Sequence, residues 1–177
     1  ETVVVFVQPA TPKAFELNME THPFLSVIVP CRNEAAYIGR TLDTILDATW
    51  PRAQMEVLVV DGESDDGTRG IVEGYAARDE RVKLMHNADR YAGAAMNLGI
   101  AAARGDLVAR VDGHAEIPPS YFAAGWGVLR QRPEVWAVGG PVTRLATDES
   151  SALVAALTSS IFSTGNTSVR VGDFEGY

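Results

Sequence analysis

The sequence predicts an α/β domain with a mostly parallel central sheet covered by helices on both faces. Three observations carry that expectation. Short apolar runs alternate with segments of helical periodicity from residue 24 onward, and such alternation implies right-handed crossovers between parallel strands. The runs are continuously apolar, as in strands buried on both sides. One run, Leu107 to Val111, breaks at Asp112-Gly113-His114. A buried parallel strand that ends in such side chains delivers them to the carboxyl edge of the sheet, where open α/β folds bind ligands.

The elements follow in order. Thr2 to Val7 is β-branched and apolar but short and without a basic flank, so it reads as an edge strand or an appended remnant, not a signal peptide. Gln8 to Pro23, with Pro9, Pro12 and Pro23, reads as a linker. Leu25 to Val29 is the first core strand, ended by Pro30. Ala36 to Ala48 is a helix with Ile38, Leu42, Ile45 and Leu46 on one face, stopped by Trp50-Pro51. Met55 to Val60 is a strand that ends at Asp61. A helix opens at Asp66-Gly67-Thr68 and runs to about Arg78.

Val82 to Met85 is a third strand. Ala92 to Arg104 is an alanine-rich helix, with Gly105 expected as its left-handed cap. Leu107 to Val111 is the fourth strand. Pro118-Pro119-Ser120 starts a helix through Leu129, with proline where a first turn tolerates it. Val135 to Val138 is expected to be a fifth strand, and Ser150 to Phe162 a helix with an apolar stripe. That stripe suits a core face by default and a membrane or domain contact as the alternative.

Composition narrows the function. A chain of 177 residues with 46% apolar and 21% charged residues is an ordinary globular domain. A net charge of −8 argues against a nucleic-acid partner, which needs a basic face. It permits a small polyanion if a divalent cation stands between carboxylates and phosphates. A single cysteine, Cys31, excludes an intrachain disulfide; it reads as a buried small hydrophobe. No apolar run approaches the roughly 20 residues of a membrane-spanning helix.

Three strand ends line up on one edge: Pro30 to Glu34, Asp61 to Thr68, and Asp112 to His114. Asp and His are both good ligands for a divalent cation, and Gly113 lets the backbone turn so that both face one point. The alternative is a solvated turn, since Asp-Gly is a common turn dipeptide. Asp61 suits an acceptor for a nucleobase N–H or a ribose hydroxyl, or a turn residue. Asp65 or Asp66 is better placed to cap the next helix. Neither a Walker loop nor G-x-G-x-x-G follows the first strand, which speaks against ATPase and dehydrogenase readings.

The segments Ser26 to Glu34, Val59 to Thr68 and Ala92 to Gly99, with Gly105-Asp106 and Asp112-Gly113-His114, together resemble glycosyltransferase family 2. The resemblance covers about Leu25 to Gly140 and implies the Rossmann-like GT-A nucleotide-diphospho-sugar transferase fold. The branch it most resembles contains the succinoglycan-type glucosyltransferases of exopolysaccharide synthesis. It implies an N-terminal extension over 1–23, a nucleotide-sugar-binding core over 24–145, and the truncated start of an acceptor-side region over 146–177. Pro30, Arg32 and Glu34 would belong to the loop around the nucleoside. Asp61 would bond the base, uracil in preference to guanine, and Arg90 would contact the nucleotide. Asn97 and Gly99 are expected to pack their helix. Asp112 stands at the first aspartate of the family's D-x-D motif, which holds the metal and the donor's phosphates.

Two departures follow. His114 replaces the second aspartate, and imidazole shifts preference from Mg²⁺ towards Mn²⁺; Glu116 would be at most an outer-sphere carboxylate. Gly62 replaces the second aspartate of a D-D-G-S pattern. The general base of inverting members is expected beyond Tyr177, with Asp173 and Glu175 as poor substitutes. The sequence is therefore expected to be part of a longer protein. The resemblance implies a metal-dependent inverting transferase acting from a nucleotide-diphospho-sugar, as a UDP-sugar, on a saccharide or lipid-linked acceptor. It implies a cytoplasmic setting at the inner face of the plasma membrane, with peripheral association through further segments. The alternative is a nucleotide-sugar-binding module that is inactive alone. A nucleotidyltransferase would show a glycine- and lysine-rich phosphate loop after the first strand, which is missing at Pro30 to Glu34.

Overall fold

The computed structural model describes residues 6–7, 22–132, 134–135 and 137–139. Its strands are β1 (Phe6–Val7), β2 (Leu25–Cys31), β3 (Met55–Asp61), β4 (Val82–His86) and β5 (Leu107–Arg110). Its helices are α1 (Ile38–Leu46), α2 (Thr68–Ala76), α3 (Ala92–Ala102) and α4 (Tyr121–Gln131). The sheet order is β1-β5-β2-β3-β4. Strands β2 to β5 are parallel, and β1 adds antiparallel to the outer side of β5.

Side-chain alternation divides the core. Leu25, Val27 and Val29 of β2 and Met55, Val57 and Val59 of β3 pack with Ile38, Leu42 and Ile45 of α1, Val72 of α2 and Phe122, Trp126 and Leu129 of α4. Ile28, Leu58 and Val60 point the other way, against Ala95 of α3. Helices thus cover both faces, which is why β2 and β3 are buried at every residue.

Four expectations are corrected. Pro30 does not end β2, which runs on to Cys31. The Val111 N–H donates to Ile28 O on one side of β2, and the Gly62 N–H donates to Cys31 O on the other. By alternation Pro30 therefore turns its missing N–H towards β5, whose pairing already ends at Arg110. Gly105 is not a left-handed cap, because among the described glycines only Gly67 has positive φ. A Cβ on Gly105 would lie 2.5 Å from Leu107 O and 2.6 Å from Ser26 N. Glycine stands there so that three backbone segments can meet. Residues 135, 137 and 138 form no strand; Val135 and Val138 pack half-buried on the core, and the edge of β5 is taken by β1.

Asn97 is exposed, against expectation, while Gly99 does pack, its absent side chain leaving room for Ile28. The other helices and strands agree to within a few residues. The linker over 8–21, the helix expected at Ser150 to Phe162, and Asp173 and Glu175 lie outside the described residues.

At the amino end of the sheet, the buried Glu56 carboxylate accepts from the Ser26 hydroxyl, the Arg104 N–H, Lys83 Nζ and Arg104 Nε. Burial alone would raise its pKa, but these donors, Lys83 first, hold it down at about 2 against an ordinary 4.5. A depressed folded-state pKa gives stability that is complete above pH 4.5 and is lost as pH falls towards 2. That contribution is at most about 3 kcal/mol. Urea unfolding at pH 7, 4.5 and 2.5 should show this loss, and Glu56→Gln should flatten it. An equally steep decline in the variant would assign the acid sensitivity to other groups.

Candidate active site

The chain order of β2, β3 and β4 runs outward in one direction, and β5 then returns to the other side of β2. Loops after β2 and β5 therefore diverge at a topological switch point, the place where open sheets form a crevice. Pro30 to Glu34 leaves β2 there, and Asp112 to His114 leaves β5. The pocket between them has a volume of about 210 Å³ and is closed on its third side by the Asn87 to Ala92 turn.

The acidic stretch after β3 braces the loop after β2. The Asn33 N–H donates to Ser64 Oγ, and the Asp65 N–H donates to Asn33 Oδ1. The Glu34 N–H donates to Thr68 Oγ1, and the Ala35 N–H to Asp66 Oδ2. Asp66 also accepts from the N–H and hydroxyl of Thr68, although the N-cap residue of α2 is Gly67 and not the aspartate expected there. The Thr68 hydroxyl first, and then the Ala35 N–H, hold the Asp66 carboxyl below its usual range. Gly62 has its own reason: a Cβ there would lie 3.2 Å from Arg90 O, so an aspartate would press on the turn.

Non-glycine residues with left-handed backbone gather at this edge: Asn33 at φ 56°, Glu63 at 56° and Arg90 at 64°. Such conformations cost free energy and tend to mark functional loops. Arg90 and Glu63 are also ion-paired to each other. Asn87, 1% exposed, holds the turn by donating from Nδ2 to Tyr91 O and accepting from the Asp89 N–H.

In a chain of net charge −8, three guanidinium groups line this one pocket: Arg32, Arg90 and Arg110. Arg110 Nε donates to Asp112 Oδ1 at 2.7 Å. No carboxylate among the described residues lies within ion-pair distance of Arg32. The pocket is thus poised for an anion. Its floor includes Cys31, whose thiol is pushed up to about 12 by burial first and by the Asp61, Glu34 and Asp66 carboxylates after it. It stays a neutral thiol and packs as the sequence suggests.

For a cation, the pocket offers the Asp112 carboxylate, 8% exposed, and the His114 imidazole. No cluster of three or more His, Cys, Asp or Glu able to hold a metal occurs among the described residues. Two protein ligands of this kind fit a cation whose coordination is completed by water and substrate phosphate oxygens. Glu116 is not part of that set: it pairs with Arg40.

The structure therefore brings together Pro30, Arg32, Glu34, Arg90, Asp112 and His114 around one pocket. Asp61 is set apart. It is 1% exposed, does not line the pocket, and accepts from the N–H and hydroxyl of Ser64. The sequence reading missed Arg110, Asn87, Tyr91 and Thr41. Arg110 was legible, since it lies two residues before Asp112 on a strand and so shares its face. Thr41 lies buried on α1 and donates to Gly113 O, an anchor that polarity concealed.

Comparison with known proteins gives the family and the fold. The family model described as Glycosyl transferase family 2 matches residues 26–161. Glycosyltransferase AglE of Haloferax volcanii is 39% identical over 94 residues, covering 52% of this chain and 31% of that protein. Succinoglycan biosynthesis protein ExoA of Rhizobium meliloti is 34% identical over 97 residues, covering 54% of this chain and 29% of that one. Mannosyltransferase PcManGT from Pyrobaculum calidifontis, solved with GDP-Man and Mn²⁺, superposes with a TM-score of 0.59 at 32% identity. That superposition covers 63% of this chain and 33% of the mannosyltransferase. The chain spans about a third of the length of the relatives it matches. The fold is GT-A, and no helix among the described residues is long and apolar enough to cross a membrane.

Proposed function

This chain belongs to glycosyl transferase family 2, and from that premise we propose that its pocket binds a nucleotide-diphospho-sugar, a UDP-sugar, for metal-dependent inverting hexosyl transfer to a saccharide or lipid-linked acceptor. The observation that carries the reading is the joining of Asp112 and His114 to three arginines at the switch point. That set answers both charges of a cation–diphosphate pair. The binding unit runs over residues 24–145, and the acceptor is met at the cytoplasmic face of a membrane.

The residues divide the work. Asp112 and His114 hold the cation, with Mn²⁺ preferred to Mg²⁺ for the imidazole. When bound, the cation neutralises the departing diphosphate. Arg32 and Arg90 orient the phosphates by charge-assisted hydrogen bonds, and Arg110 joins them once Asp112 turns to the cation. Pro30 and Glu34 form the wall beside the nucleoside. Asp61 reaches the base after Ser64 releases it. Ligand clefts commonly measure about 300–1,000 Å³; the smaller volume here suits the diphosphate end of the donor and not the whole.

A second reading, donor binding without transfer, has its own support. The carboxylates that line the pocket, Glu34 and Asp112, are engaged with His114 and Arg110. Neither is left to deprotonate an acceptor hydroxyl. Calorimetric titration with UDP-glucose, UDP-N-acetylglucosamine and GDP-mannose, each with Mn²⁺, Mg²⁺ and EDTA, tests the binding claim. Saturable binding of a UDP-sugar that needs Mn²⁺ supports it, and indifference to EDTA would contradict it. Product analysis of the same mixtures with added saccharide separates transfer from binding.

A further inference from the structure

Glu34 Oε1 lies 2.8 Å from His114 Nδ1, although the two residues are 80 positions apart in sequence. Both partners are held from behind. The Glu34 N–H is fixed on Thr68 Oγ1, and its carbonyl accepts the N–H groups of Tyr37 and Ile38 at the start of α1. Across the pocket, Thr41 Oγ1 donates to Gly113 O at 2.9 Å, and the Ala115 N–H donates to Asp112 O. The two loops touch directly: a Cβ on Gly113 would stand 3.0 Å from Cys31 Cβ and 3.2 Å from Glu34 Cγ. Such a contact needs glycine and leaves the imidazole beside the carboxylate.

We propose that Glu34 is a positioning residue for His114: its carboxylate accepts the Nδ1–H, which keeps Nε2 unprotonated and aimed for a divalent cation. The inference rests on Asp112 and His114 as the cation ligands. The physical reason is general. The two imidazole nitrogens are distinct, and the hydrogen bond made by one decides which form the other takes. Histidine ligands commonly donate their second ring N–H to a carboxylate, which fixes the ring and raises its basicity. Glu34 thus ties the loop after β2 to the metal end of the site, in addition to its place in the wall beside the nucleoside.

Electron paramagnetic resonance of free Mn²⁺, titrated with the chain in the presence of UDP or of GDP, gives the test. Glu34→Ala should weaken Mn²⁺ binding about 10- to 100-fold. Glu34→Gln, which keeps an acceptor oxygen in place, should lose less and guards against a folding artefact. His114→Ala should also weaken binding, and adding Glu34→Ala to it should cost nothing more. Without metal, ¹⁵N spectra of the His114 ring should place the proton on Nδ1 in the parent chain and move it to Nε2 in Glu34→Ala. Full Mn²⁺ affinity in Glu34→Ala, alongside a loss in His114→Ala, would overturn the positioning role and leave the cation site standing. An equal Glu34→Ala loss in both backgrounds would mean that Glu34 acts independently of His114, as a direct ligand or through the nucleotide, also overturning it. No effect of His114→Ala, or no Mn²⁺ binding at all, would sink the cation reading itself and the proposal with it.

Discussion

Asp112→Asn is expected to weaken Mn²⁺-dependent binding of a nucleotide-sugar at least about a hundredfold, roughly 3 kcal/mol. The substitution keeps the shape of the side chain and a carbonyl oxygen that Arg110 can still reach, so the fold should persist. It removes the negative charge at the end of β5. A divalent cation flanked by Arg32, Arg90 and Arg110 then lacks its carboxylate, and imidazole alone holds it poorly. The arginines still attract the diphosphate. A weak residual affinity should therefore remain, identical with Mn²⁺ and with EDTA. Isothermal titration in both conditions reads the difference. Undiminished Mn²⁺-dependent binding in the variant would remove Asp112 from the cation site.

The largest effect on stability is expected from Gly105→Ala, at about 3–5 kcal/mol. An added Cβ meets Leu107 O at 2.5 Å, Ser26 N at 2.6 Å and Phe24 O at 2.8 Å, all of them backbone atoms. These belong to the start of the β2–β5 pair, where Leu25 lies opposite Leu107. They cannot retreat without opening the sheet beneath the pocket. Gly99→Ala collides instead with the Ile28 side chain at 2.5 Å. A side chain can change rotamer, so about 1–3 kcal/mol is expected. Gly74→Ala, inside α2 with nothing within 4 Å of the added atom, should stabilise by about 0.5–1 kcal/mol. Urea midpoints of the three variants should follow that order. A mild Gly105→Ala would mean that the backbone there yields more readily than its packing implies.

The sheet was legible in the sequence because both of its faces are covered, so its strands read as unbroken apolar runs. Asp112 and His114 were legible for a related reason, since polar residues at the end of such a run have one edge to occupy. Gly105 was misread because glycine after a helix ordinarily answers a left-handed turn, whereas here the demand is a close approach of backbones. Val135 to Val138 has strand composition, yet β1 already pairs with the outer edge of β5. The acidic stretch from Asp61 to Asp66 looked like ligand chemistry. Two of its side chains, Ser64 and Asp66, prove to brace the loop after β2, and Asp61 is engaged by Ser64. Contacts such as Glu34 with His114 and Thr41 with Gly113 join residues 80 and 72 positions apart, and only the fold brings them together.

A cation and a diphosphate are expected to meet between the ends of β2 and β5. Paramagnetic broadening of amide signals in the ¹⁵N-labelled chain, with UDP and substoichiometric Mn²⁺, tests this most directly. The amides of Cys31, Gly113 and His114 are expected to disappear first. Those of Arg52 and Lys83, towards the amino end of the sheet, should remain sharp, and EDTA should restore the rest. Broadening centred on Asp65 and Asp66, or no selective broadening, would contradict it.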